Sequence, residues 1–152
     1  MNYLPTIVLR HTRENLKKCS LRGLESRSDF LFFTYPKDEI KIPENYIYLS
    51  LDGPPLTERD SQKGLFILDA TWKYAEVMSR MTPAMQDMEP RSLPSHYRTA
   101  YPRRQDDCPS KDRGLASIEA IFLSYYILGR DTSNLLDLYH WQDDFLKLNG
   151  LL

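Results

Sequence analysis

The chain has 152 residues, 41% of them hydrophobic, with 20 Lys and Arg against 21 Asp and Glu for a formal net charge of -1. One ordinary globular domain with a real core fits those figures; disorder does not, nor does a histone-like binder held by bulk charge. Two cysteines, Cys19 and Cys108, are too few for a disulfide scaffold or a closed zinc site, and the three histidines are scattered.

The first half reads as short apolar runs separated by turn chemistry. Residues 6–9, 30–34, 46–50 and 65–68 are rich in branched and aromatic side chains and read as strands. The third runs into Leu51-Asp-Gly-Pro-Pro55, a strong breaker, and Gly64 opens the fourth. Runs that are apolar on both faces suit a parallel sheet covered by helices, so the class is α/β. Residues 13–24 and 57–62 are the predicted helical or loop crossovers. Residues 71–81 then form a helix, with Trp72, Ala75 and Met78 on one stripe and Thr71 as its cap. Five prolines between residues 82 and 113 exclude a long helix there, and residues 97–101 could add a short strand. Ser117 starts a helix as N-cap, Glu119 suits its positive end and Gly129 stops it. A last helix is expected from about residue 131 or 132 to 148.

The apolar stretch at 118–128 is interrupted by Glu119 and Ser124 and is too short to span a bilayer. The N-terminal residues lack a signal-peptide pattern, so a reduced, cytoplasmic chain with no membrane partner is expected. Charge is segregated along the chain. Residues 1–28 sum to +4 and residues 91–114 to +3, whereas 29–60 sum to -4 and 131–152 to -3. Such segments make either a solvated mixed surface or a selective nucleic-acid face.

Asp69 falls at the carboxyl end of a buried strand, just before a helix. Ligands bind in that crevice in open α/β sheets, and an Asp there can hold a ligand ammonium or accept a proton. From spacing alone the plainer reading is that it caps a turn, with Trp72 as core. Ser117 and Glu119 at a helix start suit a polar ligand, or a plain cap and dipole complement. No dinucleotide fingerprint, phosphate loop or nucleophile elbow is present.

Asp69-Ala-Thr-Trp-Lys-Tyr-Ala75 resembles the Asp-x-Thr/Ser-Trp-x-x-Ala signature of the DTW-type aminocarboxypropyltransferases. Further segments follow in that family's order. Lys17-Lys-Cys-Ser-Leu-Arg-Gly-Leu24, Leu56-Thr-Glu-Arg-Asp60, Arg91-Ser-Leu-Pro94 and Leu115-Ala-Ser-Ile-Glu-Ala120 resemble segments of the ribosomal-RNA branch. The tail, Leu135-Leu-Asp-Leu-Tyr-His-Trp-Gln-Asp-Asp-Phe-Leu-Lys-Leu-Asn149, is similar to that branch's closing motif, with Gln142 in place of its Gly. The sequence also departs from the branch at Arg22 and after Tyr101-Pro102, where its Asn-Pro-x-Asn-Tyr-Gly has no clear copy.

The resemblance implies one domain over residues 1–152, a SPOUT-like parallel sheet flanked by helices with a C-terminal trefoil knot. It implies S-adenosylmethionine as cofactor, no metal, and transfer of the 3-amino-3-carboxypropyl group to a uridine-type base nitrogen in structured RNA, ribosomal RNA ahead of transfer RNA. Asp69 would be the catalytic residue. Trp72 and Ala75 would wall off the cofactor's methyl, Leu49, Leu93, Leu115 and Ser117 would hold adenine and ribose, and Ser20 the amino-acid end, with Thr71 beside them. Lys17, Lys18, Arg22, Arg98, Arg103 and Arg104 would meet RNA phosphates. A SPOUT methyltransferase and a non-catalytic RNA-binding or ribosome-assembly factor of the same fold are the alternatives.

Overall fold

The computed structural model describes residues 3–13, 21–102 and 114–152, with Trp72 described by its main chain only. Among these residues five strands form one sheet: β1 (Thr6–His11), β2 (Phe30–Tyr35), β3 (Tyr46–Leu49), β4 (Gly64–Asp69) and β5 (Glu89–Arg91). Their order is β2-β1-β4-β3-β5 and every pairing is parallel. The helices are α1 (Trp72–Met81), α2 (Ser117–Leu128) and α3 (Gln142–Leu148).

Alternation along the strands feeds two cores, one on each face of the sheet. Val8, Phe30, Ile47, Leu65 and Ile67 pack against Ile118, Ile121 and Tyr125 of α2 and against Phe145 of α3. Ile7, Leu9, Tyr46 and Phe66 face the other way, onto Met78 of α1 and Met85. Both faces are therefore covered, which is why the strands read as continuous apolar runs. Gly64 stands in register with Tyr46, whose ring occupies the space a Cβ would need. The chain enters β4 only because residue 64 has no side chain.

α2 is apolar on nearly every side because the sheet and the C-terminal residues enclose it. Its N-cap is Ala116, not Ser117: Glu119 Oε1 accepts the Ala116 N–H at 2.8 Å, and the Ser117 hydroxyl is drawn to Asp69 instead. Gly129 ends α2 at φ 74°, as the sequence predicts, and the Arg130 N–H closes onto the Tyr125 carbonyl at 2.8 Å.

The crossovers are turns and loop rather than long helices where they are described, and several other expectations need correction. The 57–62 crossover is a single 3-10 turn, Glu58–Asp60, whose N-cap Thr57 side chain accepts from the Arg59 N–H. Most of the 13–24 crossover lies outside the described residues; Leu24–Ser26 is another 3-10 turn. Thr71 starts α1 through its carbonyl, which accepts from Ala75 N–H at 2.8 Å, and its side chain makes no cap bond. Residues 97–101 are loop, because side chains rather than a neighbouring strand bond their main chain. The last helix begins only at Gln142. Asn134 sits at φ 65° and Asp131 Oδ1 accepts from Ser133 N–H at 2.9 Å, so residues 131–141 form turns that still bury Leu135, Leu136 and Tyr139. β5 has no sequence signal because Pro90 sits inside it; an edge strand tolerates proline.

Beyond the amino ends of β1 and β2, Asp29 accepts from Arg27 Nε and Nη2 at 2.9 Å each, from Tyr3 Oη at 3.1 Å and from Tyr125 Oη at 3.2 Å. Burial pushes the Asp29 carboxyl up, but the Arg27 hydrogen bonds and charge outweigh it and hold it below its usual range. The unfolded chain therefore binds a proton here more readily than the folded one. This group's stabilisation is present above the ordinary carboxylate pKa and lost as pH falls through the folded value. Urea midpoints measured from pH 7 downward should drop below about pH 4 in the wild type. Asp29→Asn should start lower and show a flatter acid limb. Parallel acid limbs would remove Asp29 from the pH dependence.

Candidate functional site

The carboxyl ends of β3, β4 and β5 open into a cavity of about 900 Å³. Its floor comes from Tyr48 and Leu49 of β3 and Leu68 of β4. One side is the start of α1, through Ala75, Glu76 and Ser79. The other is the chain that follows β5, through Leu93, Pro94, Ser95 and Tyr97. Leu115, Ser117 and Ala120 close it from the start of α2, and Ser50, Asp52 and Lys73 add polar groups.

The turn after β3 is stitched to the chain after β5 by main-chain bonds. Ser50 N–H donates to Arg91 O at 2.9 Å, Ser92 N–H to Pro54 O at 2.9 Å and Leu56 N–H to Ser92 O at 2.8 Å. The Ser92 hydroxyl adds a bond to Gly53 O at 2.9 Å. Gly53 sits at φ 122° with Pro90 against it, so a side chain there would be strained and crowded. These bonds hold the turn after β3 against the chain that follows β5.

Below the cavity lies Asp69, only 3% exposed. It is in register with Arg10 on β1, and Arg10 Nε donates to its Oδ2 at 3.1 Å. The Ser117 hydroxyl donates to its Oδ1, also at 3.1 Å. Asp69 therefore ties β1, β4 and α2 together where they meet, and Ser117 connects it to the cavity surface. Arg10 is 8% exposed, with its guanidinium over the Phe32 ring at 4.8 Å and Glu25 at 3.6 Å.

The wall after β5 is anchored by Glu119, which is completely buried. Its Oε1 accepts from Ala116 N–H at 2.8 Å and Thr99 Oγ1 at 2.6 Å; its Oε2 accepts from Ala100 N–H at 2.8 Å and Tyr139 Oη at 2.9 Å. The carboxylate expected to complement a helix end also joins three separate parts of the chain.

Of the residues singled out from the sequence, Leu49, Ala75, Leu93, Leu115 and Ser117 all line this one cavity, with Asp69 directly beneath Ser117. Thr71 is exposed and is not among the lining residues; Trp72 is the first residue of α1, and its side chain lies outside the description. Ser20, Lys17, Lys18, Arg103 and Arg104 lie outside the described residues. Arg98 is exposed beside the cavity wall, its guanidinium bonded to the Ser95 and Tyr97 carbonyls. Arg22 lines a separate cavity of about 420 Å³ with Arg27, Asp131 and Asp137, so it is not grouped with Arg98.

The sequence reading missed Arg10, Ser50, Asp52 and Lys73. Two of these had a signal. A charged residue ending a buried strand needs a partner, which points to Arg10, and a polar turn after a parallel strand lies in the crevice, which points to Asp52. Among the described residues no group of three His, Cys, Asp or Glu side chains could hold a metal ion, and no helix is long and apolar enough to cross a membrane.

No family model matches the sequence, and no curated protein matches it. The structure is similar to the solved structure of the SAM-dependent rRNA:acp-transferase Tsr3 from Vulcanisaeta distributa, with a TM-score of 0.72. The match covers 97% of this chain and 79% of that one, at 23% sequence identity. The likeness is one of fold.

Proposed function

We propose that this chain transfers the 3-amino-3-carboxypropyl group of S-adenosylmethionine to a uridine-type base nitrogen in RNA, ribosomal RNA ahead of transfer RNA, as a DTW-type enzyme. One observation carries the reading: Leu49, Ala75, Leu93, Leu115 and Ser117, the residues that the resemblance assigns to the cofactor, are separated by up to 68 positions and converge on a single cavity above Asp69. The neighbour of the same fold is named for that reaction on rRNA. A C-terminal trefoil knot of SPOUT type belongs to the proposal.

The cavity fits the cofactor in size and character. Its volume falls in the range of roughly 300–1,000 Å³ usual for small-molecule sites. Apolar Leu49, Leu93 and Leu115 suit an adenine ring, Ser50 and Asp52 suit ribose hydroxyls, and Ser117 lies where the amino-acid end would be received, with Ser20 assigned there too. Trp72 and Ala75 at the head of α1 would wall off the methyl, with Thr71 assigned to the cofactor beside them. When bound, S-adenosylmethionine supplies a sulfonium-activated carbon, and methylthioadenosine is the leaving group.

The protein's own part is to bind, orient and keep water out. Both Asp69 oxygens already accept hydrogen bonds, which favours an orienting role through Ser117 over a proton-accepting one. RNA phosphates would meet Lys17, Lys18, Arg22, Arg98, Arg103 and Arg104, and the protein would act in the cytoplasm.

Calorimetric titration with S-adenosylmethionine should show binding. Incubation with cofactor and ribosomal RNA should release methylthioadenosine, identified by mass spectrometry. S-adenosylhomocysteine instead would make the protein a methyltransferase. Absence of binding by the folded protein would leave an RNA-binding factor.

A further inference from the structure

We infer that Asn149 is a positioning residue for the cofactor cavity, acting at a distance through the wall that follows β5. The inference rests on the reading of the cavity as an S-adenosylmethionine site. The tail motif that ends in Asn149 has no other part in that reading.

The Asn149 amide pairs with the main chain of Arg98 in both directions. Arg98 N–H donates to Asn149 Oδ1 at 2.8 Å, and Asn149 Nδ2 donates back to Arg98 O at 2.9 Å. One side-chain amide thus supplies the donor and acceptor that a neighbouring strand would supply. Asn149 is itself held. It is the C-cap of α3, its Nδ2 also reaches the Phe145 carbonyl at 2.9 Å, and the Phe145 ring is fully buried against Phe122. The clamp therefore ties Arg98 to the core rather than to another loop.

What it holds matters for the cavity. Leu93, Pro94, Ser95 and Tyr97 line the cavity, immediately before Arg98. This stretch lies outside the sheet; its own main-chain bond is the long one from Tyr97 N–H to Pro94 O at 3.4 Å. Glu119 fixes the next two residues, Thr99 and Ala100, from below. Glu119 cannot be altered without disturbing the core, whereas Asn149 lies at the edge and its side chain can be removed alone. Aspartate is not a substitute. A carboxylate can accept from the Arg98 N–H, but it faces the Arg98 carbonyl with a second acceptor.

The test compares the wild type with Asn149→Ala. Three quantities are read: S-adenosylmethionine affinity by calorimetry, amide hydrogen exchange, and the urea midpoint. Asn149→Ala should weaken cofactor binding about tenfold, the scale of losing one or two hydrogen bonds. Exchange at residues 97–101 should accelerate while the strands keep their protection and the midpoint changes little. In turnover, KM for the cofactor should rise with kcat nearly unchanged. Asn149→Asp keeps the bond from the Arg98 N–H but sets an oxygen against the Arg98 and Phe145 carbonyls, so it should weaken binding at least as much, and it carries the test if Asn149→Ala does not fold. Unchanged affinity in a variant of a cofactor-binding wild type would overturn the positioning role alone, as would unchanged exchange at residues 97–101. Failure of the wild type to bind S-adenosylmethionine would overturn the cofactor reading, and this inference with it.

Discussion

Asp69→Ala is expected to lower the free energy of unfolding by about 3–5 kcal/mol, the scale of stripping one partner from a buried ion pair. The cause is Arg10. It is 8% exposed and stands in register with Asp69, whose Oδ2 accepts from its Nε at 3.1 Å, while the exposed Glu25 carboxylate lies farther off at 3.6 Å. Removing Asp69 leaves a guanidinium in a protein interior. Removing both charges, as Arg10→Met with Asp69→Leu, should recover most of the loss, because no buried charge is then left unpaired. Urea denaturation measures all three proteins, and a wild-type midpoint for Asp69→Ala would show that the pair contributes nothing.

Asp69→Asn separates the charge from the hydrogen bonds. An amide can accept from Arg10 and donate to Ser117, so the fold persists at lower stability. The polarity of Ser117 reverses, however. In the wild type its hydroxyl proton points at Asp69 and its lone pairs are left for the cavity; in the variant its proton is left for the cavity. A ligand ammonium needs the lone pairs. Asp69→Asn should therefore lose most transfer with the fold intact, and full activity would end the role proposed for Asp69.

Glu119→Gln is expected to cost about 3 kcal/mol, although it changes one heavy atom, because an unsatisfied buried donor and lost charge-assisted bonds add together. Thr99 and Tyr139 present hydroxyls that could turn to accept. Ala116 and Ala100 present main-chain N–H groups that cannot, and they face different carboxylate oxygens. Wherever the amide nitrogen is placed, it meets a donor. The variant should show a lower urea midpoint and faster exchange at Ala100 or Ala116. A midpoint equal to the wild type would mean that the four bonds are replaced by water.

Much of the fold was legible in the residues. Among the described residues four of the five strands follow from branched and aromatic runs, α1 and α2 follow from spacing, and the stop of α2 follows from Gly129, whereas the side-chain caps expected at Thr71 and Ser117 are not formed. β5 was not legible, because a three-residue edge strand containing Pro90 is stabilised by its place beside β3 and not by its own preferences. Leu135, Tyr139, Gln142 and Leu146 recur at helical spacing, yet the last helix starts only at Gln142. Local bonds at Asp131 and Asn134 favour turns before it, and turns bury Leu135 and Tyr139 equally well.

The site divides in the same way. The position of Asp69 at a strand end before a helix was readable, because the period of the strand and the onset of the helix place it. By itself the sequence determined the α/β class, the covered parallel sheet and the edge at which a ligand crevice opens, since these depend on local pattern and parallel connection. Only the tertiary structure decided that Arg10 neutralises Asp69, that Ser117 leaves its cap to bond Asp69, and that Glu119 and Asn149 hold the cavity wall. Apart from the cap itself, each of those contacts joins residues 19 to 59 positions apart. Which distant donor meets which acceptor is set by strand order and helix packing, and these minimise the free energy of the whole chain rather than of any one segment.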